Sequence, residues 1–276
     1  MTDAPVGSVL QFSPRDSARF ELRVFRGVVD SVDTDALAAE IERERVDVAI
    51  LRVPPQMLGA LNGFARHGLV PIVADTLVSY DTDFPARRTA PTTGSAVTLR
   101  VATEKDAELL AGMAREIFAG YVSHYHANPL FERDRILDGY AEWAARHVGA
   151  DDGSVAWLVE YDGELAGFSC CRADRASGTA IGVLNGVLPE MRSRGIYRGM
   201  LRATVDAFTE MGMKRFEIST QVHNIAVQRV WTAHGLVLRS ASNTVHVNAL
   251  RSRSEISAET SALRSRSAGR SVEERR

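Results

Sequence analysis

Three arginines, Arg192, Arg194 and Arg198, are interleaved with Gly195 and Gly199 in the stretch Val187-Leu188-Pro189-Glu190-Met191-Arg192-Ser193-Arg194-Gly195-Ile196-Tyr197-Arg198-Gly199. An apolar run from Thr179 to Val187 precedes it, and Ile196, Leu201, Val205 and Phe208 follow near helical spacing. That pattern reads as strand, tight loop and helix. A loop of this kind at a helix start offers unpaired backbone N–H groups and the positive end of the helix dipole, so phosphate oxygens suit it. Arginine side chains strengthen the same field. The spacing is neither the nucleotide-cradling loop that ends in Gly-Lys-Ser/Thr nor the three-glycine dinucleotide fingerprint. The competing reading is a surface turn whose arginines are merely solvated.

A second concentration of chemistry is Tyr121-Val122-Ser123-His124-Tyr125-His126, where Tyr121, His124, Tyr125 and His126 put rings with polar tips close together. Stacking on a sugar or a base suits such rings, although packing is the commoner use. Cys170 and Cys171 are adjacent on an expected strand, which points them to opposite faces and disfavours a bridge between them. They read as reduced packing residues.

The elements that must position these residues fall into two groups. Residues 18 to 30 alternate as a half-buried strand would, Asp33-Thr34 caps a helix, and Val48-Ala49-Ile50-Leu51 reads as a buried strand. A helix from Gln56 to His67 stops at Gly68, and Leu69 to Ser79 returns extended. Residues 1–80 are therefore expected to form a small α/β domain. The Pro-, Gly- and Thr-rich residues 81–95 read as a linker.

Residues 96–248 form the second expected domain. A strand from Val97 to Val101 leads to a helix with Thr103 as N-cap and Asp106 in its first turn. A second helix runs from Arg133 to Val148. Val155 to Tyr161 and Leu165 to Arg172 make a hairpin about Asp162-Gly163. After the strand, loop and helix described above come a strand from Phe216 to Thr220, a helix from Asn224 to His234 and an extended pair from Leu236 to Val247. In residues 249–276, Ala249-Leu250-Arg251-Ser252-Arg253-Ser254 recurs as Ala262-Leu263-Arg264-Ser265-Arg266-Ser267, a composition expected to stay without a packed core.

This element order, β-α-α-β-β-β-α-β-α-β, together with Arg192, Gly195 and Tyr197 in the pattern Arg/Gln-x-x-Gly-x-Gly/Ala, resembles the GNAT superfamily of acyl-CoA-dependent acetyltransferases. Tyr197 departs from the last place, which normally holds a small residue. Asn224-Ile225-Ala226, followed by Trp231 and Gly235-Leu236, resembles the closing signature of the same superfamily. The N-terminal α/β unit, Ser13-Pro14-Arg15-Asp16 and the ring-rich stretch with Tyr140 and Trp143 narrow the resemblance to the dTDP-fucosamine acetyltransferase subfamily. The fold class implied is mixed α/β, a GNAT fold with a central, mostly antiparallel sheet flanked by helices, plus the smaller N-terminal unit.

The resemblance implies acetyl-CoA or another short acyl-CoA as co-substrate and no metal. Asn185, Val187, Arg192, Arg194, Gly195, Ile196, Tyr197, Arg198, Gly199, Asn224 and Trp231 would hold it. The Val187 N–H would face the oxyanion, and the acceptor amine would attack the thioester directly. Tyr121, His124, Tyr125 and His126 would meet the acceptor, a small amine and most specifically a nucleotide-linked amino sugar, with His126 as base. The family's acid is a tyrosine on the last helix. Trp231 stands there, and an indole is a donor that keeps its proton at neutral pH. A non-catalytic acyl-CoA-binding or interaction module is therefore the alternative. An antibiotic, a polyamine or a protein amine also stays open as acceptor, and a homodimer as assembly.

Composition limits the field further. The chain has 276 residues, 45% hydrophobic and 25% charged, ordinary for a soluble globular protein. A net charge of -2 gives no global attraction to nucleic acid or membrane. No basic leader with an apolar core and no 18-residue apolar run occurs. A cytoplasmic location is the expectation.

Overall fold

The computed structural model describes residues 8–84, 96–149 and 153–249. Most of the expected linker and the Arg/Ser repeat beyond Ala249 lie outside the described residues. Among the described residues the chain divides into two compact units. The first gathers residues up to Thr76, His124–Glu132 and those from Ser242 onward, and the second holds Leu77–Ser123 and Arg133–Ala241.

In the first unit β1 (Gln11–Phe12) is followed by α1 (Pro14–Phe20), β2 (Val24–Val28), α2 (Thr34–Arg43), β3 (Val48–Val53), a 3-10 stretch Pro55–His67 and the start of β4 (Val70–Asp83). The alternation over residues 18 to 30 reads as one strand, but the strand begins only at Val24. Pro14, with its fixed φ, opens a helix instead, and Glu21 ends that helix at φ 57. The expected helix from Gln56 to His67 is wound as 3-10. Gly59 and Gly63 weaken an α-helix there, and a Cβ on Gly63 would lie 2.4 Å from Thr34 Oγ1 of α2. The Asp33 cap is formed, its carboxylate accepting from the N–H groups of Asp35 and Ala36.

The second unit contains β5 (Val97–Val101), α3 (Ala107–Phe118), α4 (Arg133–Ala145), β6 (Ser154–Tyr161), β7 (Glu164–Asp174), β8 (Thr179–Val187), α5 (Ile196–Glu210), β9 (Arg215–Gln221), α6 (Ile225–Ala233) and the first part of β10 (Val237–Asn248). The expected extended pair after Leu236 is thus a single long strand. Thr103 and Asp106 form the capping box. The β6–β7 hairpin turns on Asp162 and Gly163 at φ 53 and 83, the left-handed pair a two-residue turn requires. From β5 to β8 each strand pairs antiparallel with the next, while β8 and β9 run parallel. Cys170 sits in a core with Leu110, Ala114 and Ala144. Cys171 sits in another with Phe208, Phe216 and Trp231. Both thiols are free and buried.

Each unit is completed by a strand distant in sequence from the one it pairs with. In the second, Leu77–Asp83 of β4 pairs antiparallel with Gln221–Arg215 of β9. In the first, Asn243–Asn248 of β10 pairs antiparallel with Val53–Val48 of β3, which runs parallel to β2. One face of that first sheet carries Phe25, Ala49, Leu51, Val53, Val245 and Val247 onto α2 and the 3-10 stretch. The other face carries Arg26, Arg52, Thr244, His246 and Asn248, since alternate residues point oppositely.

Candidate functional site

β8 and β9 pair only from Thr179/Arg215 to Gly182/Ile218. The β7–β8 register jumps between Cys170/Leu184 and Cys171/Gly182, so Val183 is an extra residue. A bulge of this sort bends its strand, and β8 continues to Val187 without β9 as neighbour. The Leu188 N–H donates to Ala166 O at 2.9 Å. Alternation along the antiparallel ladder then turns the N–H and C=O groups of Asn185 and Val187 away from β7. Between them Gly186 meets α3, where an added Cβ would lie 2.5 Å from Ile117 Cγ2. Gly186→Ala is expected to destabilise the fold by about 1–3 kcal/mol through overpacking. A denaturant melt compared with the parent measures it, and an unchanged midpoint would refute the close approach.

Beyond Val187 the chain makes a 3-10 turn, Pro189–Met191, and Arg192 extends before α5 begins. Ser193 at φ 66 and Gly195 at φ 76 are left-handed, and Gly195 stands at the N-cap without a side-chain cap. Among the described residues, the backbone N–H groups of Ser193, Arg194, Gly195, Ile196 and Tyr197 meet no acceptor. Arg192 spans the loop's base, its guanidinium donating to Val187 O at 3.3 Å and Ile117 O at 3.1 Å. Arg194 donates to Glu190 O at 3.4 Å. Arg198 is exposed. Gly199 serves packing, since a Cβ there would lie 2.7 Å from Val97 Cγ2. Ile196 is buried under the helix start.

Tyr197 turns its ring inward. Its hydroxyl donates to Asn185 Oδ1 at 3.2 Å and accepts from Trp231 Nε1 at 3.1 Å. Burial pushes this phenol well above the usual tyrosine range. Trp231 is 1% exposed and lies edge-on to Tyr80, ring centroids 5.4 Å apart. Asn224 precedes α6 without capping it by its side chain. Its amide instead donates to Thr220 Oγ1 at 3.0 Å. The sequence flags Tyr197 and Trp231 separately as departures from a pattern; their contact is visible only in three dimensions.

The ring-rich stretch divides between the units. Tyr121 belongs to the second, where its hydroxyl donates to Gln221 Oε1 and its ring stands edge-on to Phe118 and Tyr140. His124, Tyr125 and His126 belong to the first. Tyr125 donates to Asp16 at 2.8 Å and accepts from Arg26. Its phenol too is pushed up by burial, against the pull of Arg26. His124 bonds His246, and His126 is half-buried. Among the described residues no group of three or more His, Cys, Asp or Glu is placed to hold a metal ion. No described helix is long and apolar enough to cross a membrane.

Strand, left-handed loop and helix beside a strand edge that has parted from its neighbour are the features of the GNAT fold, and the chain adopts it. Residues 115–236 match the acetyltransferase (GNAT) family. No curated protein matches the chain. Among solved structures it is similar to a GCN5-related N-acetyltransferase from Sphaerobacter thermophilus, at TM-score 0.56 and 12% identity over 87% of this chain and 75% of that one. It is also similar to a tandem GNAT protein from the clavulanic acid biosynthesis pathway, at TM-score 0.54 and 14% identity over 83% and 76%. At such identities the likeness is one of fold.

Proposed function

We propose that this protein is an acyl-CoA-dependent N-acyltransferase that moves an acetyl or short acyl group to the amine of a small molecule. The observation that carries the reading is the run of five partnerless amides from Ser193 to Tyr197 at the start of α5, beside a strand edge left open at Asn185 and Val187. Such amides with a helix dipole suit the pyrophosphate of coenzyme A. The open edge suits the amide-bearing arm that would extend along it, with Asn224 on the far side and the Val187 N–H as oxyanion donor. Arg192, Arg194 and Arg198 add positive charge, while Ile196, Gly199 and Trp231 are taken up by packing and support α5 and α6 from behind. The amine attacks the thioester carbon directly, so the buried cysteines have no part.

The acceptor is proposed as a nucleotide-linked amino sugar of the dTDP-fucosamine kind, met in the second unit by Tyr121. A cytoplasmic location goes with the same proposal. Calorimetric titration with coenzyme A tests the donor site, and release of free thiol from acetyl-CoA across a panel of amines tests transfer. Arg192→Ala is expected to weaken coenzyme A binding about tenfold, since the guanidinium ties the loop to two backbone carbonyls. Absence of heat with the parent protein would end the reading. The second reading, a module that binds acyl-CoA without transfer, is favoured by Trp231 in the acid's place. It predicts heat on titration with no thiol released by any amine.

A further inference from the structure

The two places where this chain departs from the family pattern, Tyr197 in the loop and Trp231 on α6, are hydrogen-bonded to each other. An indole has one donor and no acceptor, and that of Trp231 is spent on Tyr197 Oη. The remaining proton of the pair is the phenolic one, held toward Asn185 Oδ1. The tyrosine hydroxyl missing from α6 is thus brought to the neighbourhood of α6 from the first turn of α5.

Resting on the acyl-transfer reading, we propose that Tyr197 is a catalytic residue that hydrogen-bonds the departing sulfur, with Trp231 and Asn185 fixing its hydroxyl. The position supports this. An acyl donor anchored by its phosphates at Ser193–Tyr197 and laid along the open edge of β8 brings its thioester to the Val187 N–H. The next residue whose backbone faces that edge is Asn185, whose side chain Tyr197 touches. Hydrogen bonds from α6 and β8 converge on one oxygen and leave its ring no freedom to swing.

In the step, the amine nitrogen attacks the thioester carbon, the C–N bond forms and the C–S bond breaks with its electron pair on sulfur. With the ring fixed, the Tyr197 O–H rotates from Asn185 and donates a hydrogen bond to that thiolate. Water takes the surplus proton of the amine and supplies the proton that ends on sulfur. The phenol keeps its own proton. Burial holds it in the neutral form. The other ionisable groups that act on it are Cys171 of β7, whose thiol is pushed up to about 12 by burial, and Tyr121.

The test uses the full chain with acetyl-CoA and the best amine of the panel. Tyr197→Phe should lower kcat about a hundredfold, as loss of one transition-state donor does, while the Kd for coenzyme A changes less than about threefold. The ratio of parent to variant rates should stay constant from about pH 6 to 9, because neither phenol nor phenyl titrates there. Trp231→Phe, which keeps the hydroxyl but removes its partner, should lose about three- to tenfold in kcat. An unchanged kcat in Tyr197→Phe, or a loss mirrored in coenzyme A affinity, overturns the assignment and leaves acyl transfer standing. If Tyr197→Phe fails to fold, an unchanged kcat in Trp231→Phe overturns it. A parent protein that neither binds coenzyme A nor releases thiol overturns both together.

Discussion

Residues 96–249, expressed alone, are expected to give no cooperative unfolding transition, although they contain the whole of the family match at 115–236. The Pro- and Gly-rich stretch invites a cut there, but the cut removes Leu77–Asp83, which pairs with the full length of β9. On its other side β9 has β8 only as far as Ile218. Without β4 the row Phe216, Ile218 and Thr220 faces an open edge, and Val78 and Tyr80 leave the core they share with Phe208 and Trp231. Each buried side chain of that size contributes about 1.5–3 kcal/mol. Asp81 is lost as well. Its carboxylate is 3% exposed and paired with Arg215 of β9 and Arg239 of β10, and breaking such a pair costs about 3–5 kcal/mol where it is fully buried. The arginines are half-exposed, which brings that figure to the low end or below. Together the losses equal a large part of the roughly 5–15 kcal/mol that holds a domain folded. A fragment beginning at Leu77 restores every one of these contacts and should recover a sigmoidal melt by circular dichroism. A cooperative melt of 96–249 within a few degrees of the longer fragment would show that β4 is dispensable.

Local chemistry was legible in the sequence wherever a short segment settles its own conformation. Asp162-Gly163 can hardly be anything but a tight turn, Thr103 with Asp106 writes its own cap, and Gly195 marks the left-handed step before α5. The order of elements in the second unit follows from these signals. Residues 18 to 23 were not legible, because Phe20, Leu22 and Val24 alternate by accident across a helix end and a turn at Glu21. Nor was the path of β4 and β10, each of which finds partners far away in sequence. Spacing places Tyr197 and Trp231 in motifs but says nothing of where their rings turn. His124, Tyr125 and His126 look like one reactive cluster in the sequence; the partners of the first two, Asp16, Arg26 and His246, lie 99 to 122 residues away, and Asn128 and Asn248 join them only in the fold.

The buried histidines of that cluster are expected to make the protein acid-sensitive. Asn128 Nδ2, which is only a donor, lies 3.3 Å from His246 Nδ1, so this nitrogen accepts. The neutral ring then carries its proton on Nε2 and donates to His124 Nδ1 at 2.9 Å. A proton added to His246 Nδ1 would face the amide donor, and one added to His124 Nδ1 would face another N–H. Both rings are buried, and burial holds His124 well below the ordinary histidine range and His246 at about 3. Arg26 and Arg52 act in the same sense on both, His126 does so on His124, and Asp16 opposes weakly at His246. Below about pH 6.5 the unfolded chain binds protons that the folded one refuses, so stability is full above that pH and falls as the pH drops toward 3. At pH 5 the loss from His246 alone is about 2 kcal/mol, and His124 adds to it. The melting temperature is therefore expected to fall by several degrees between pH 8 and pH 5. His246→Gln, stable enough to melt at pH 8, should show about half that pH dependence. A melting temperature that stays level from pH 8 to pH 5 would mean that these rings take up protons in place, and that the hydrogen-bond order deduced from Asn128 is wrong.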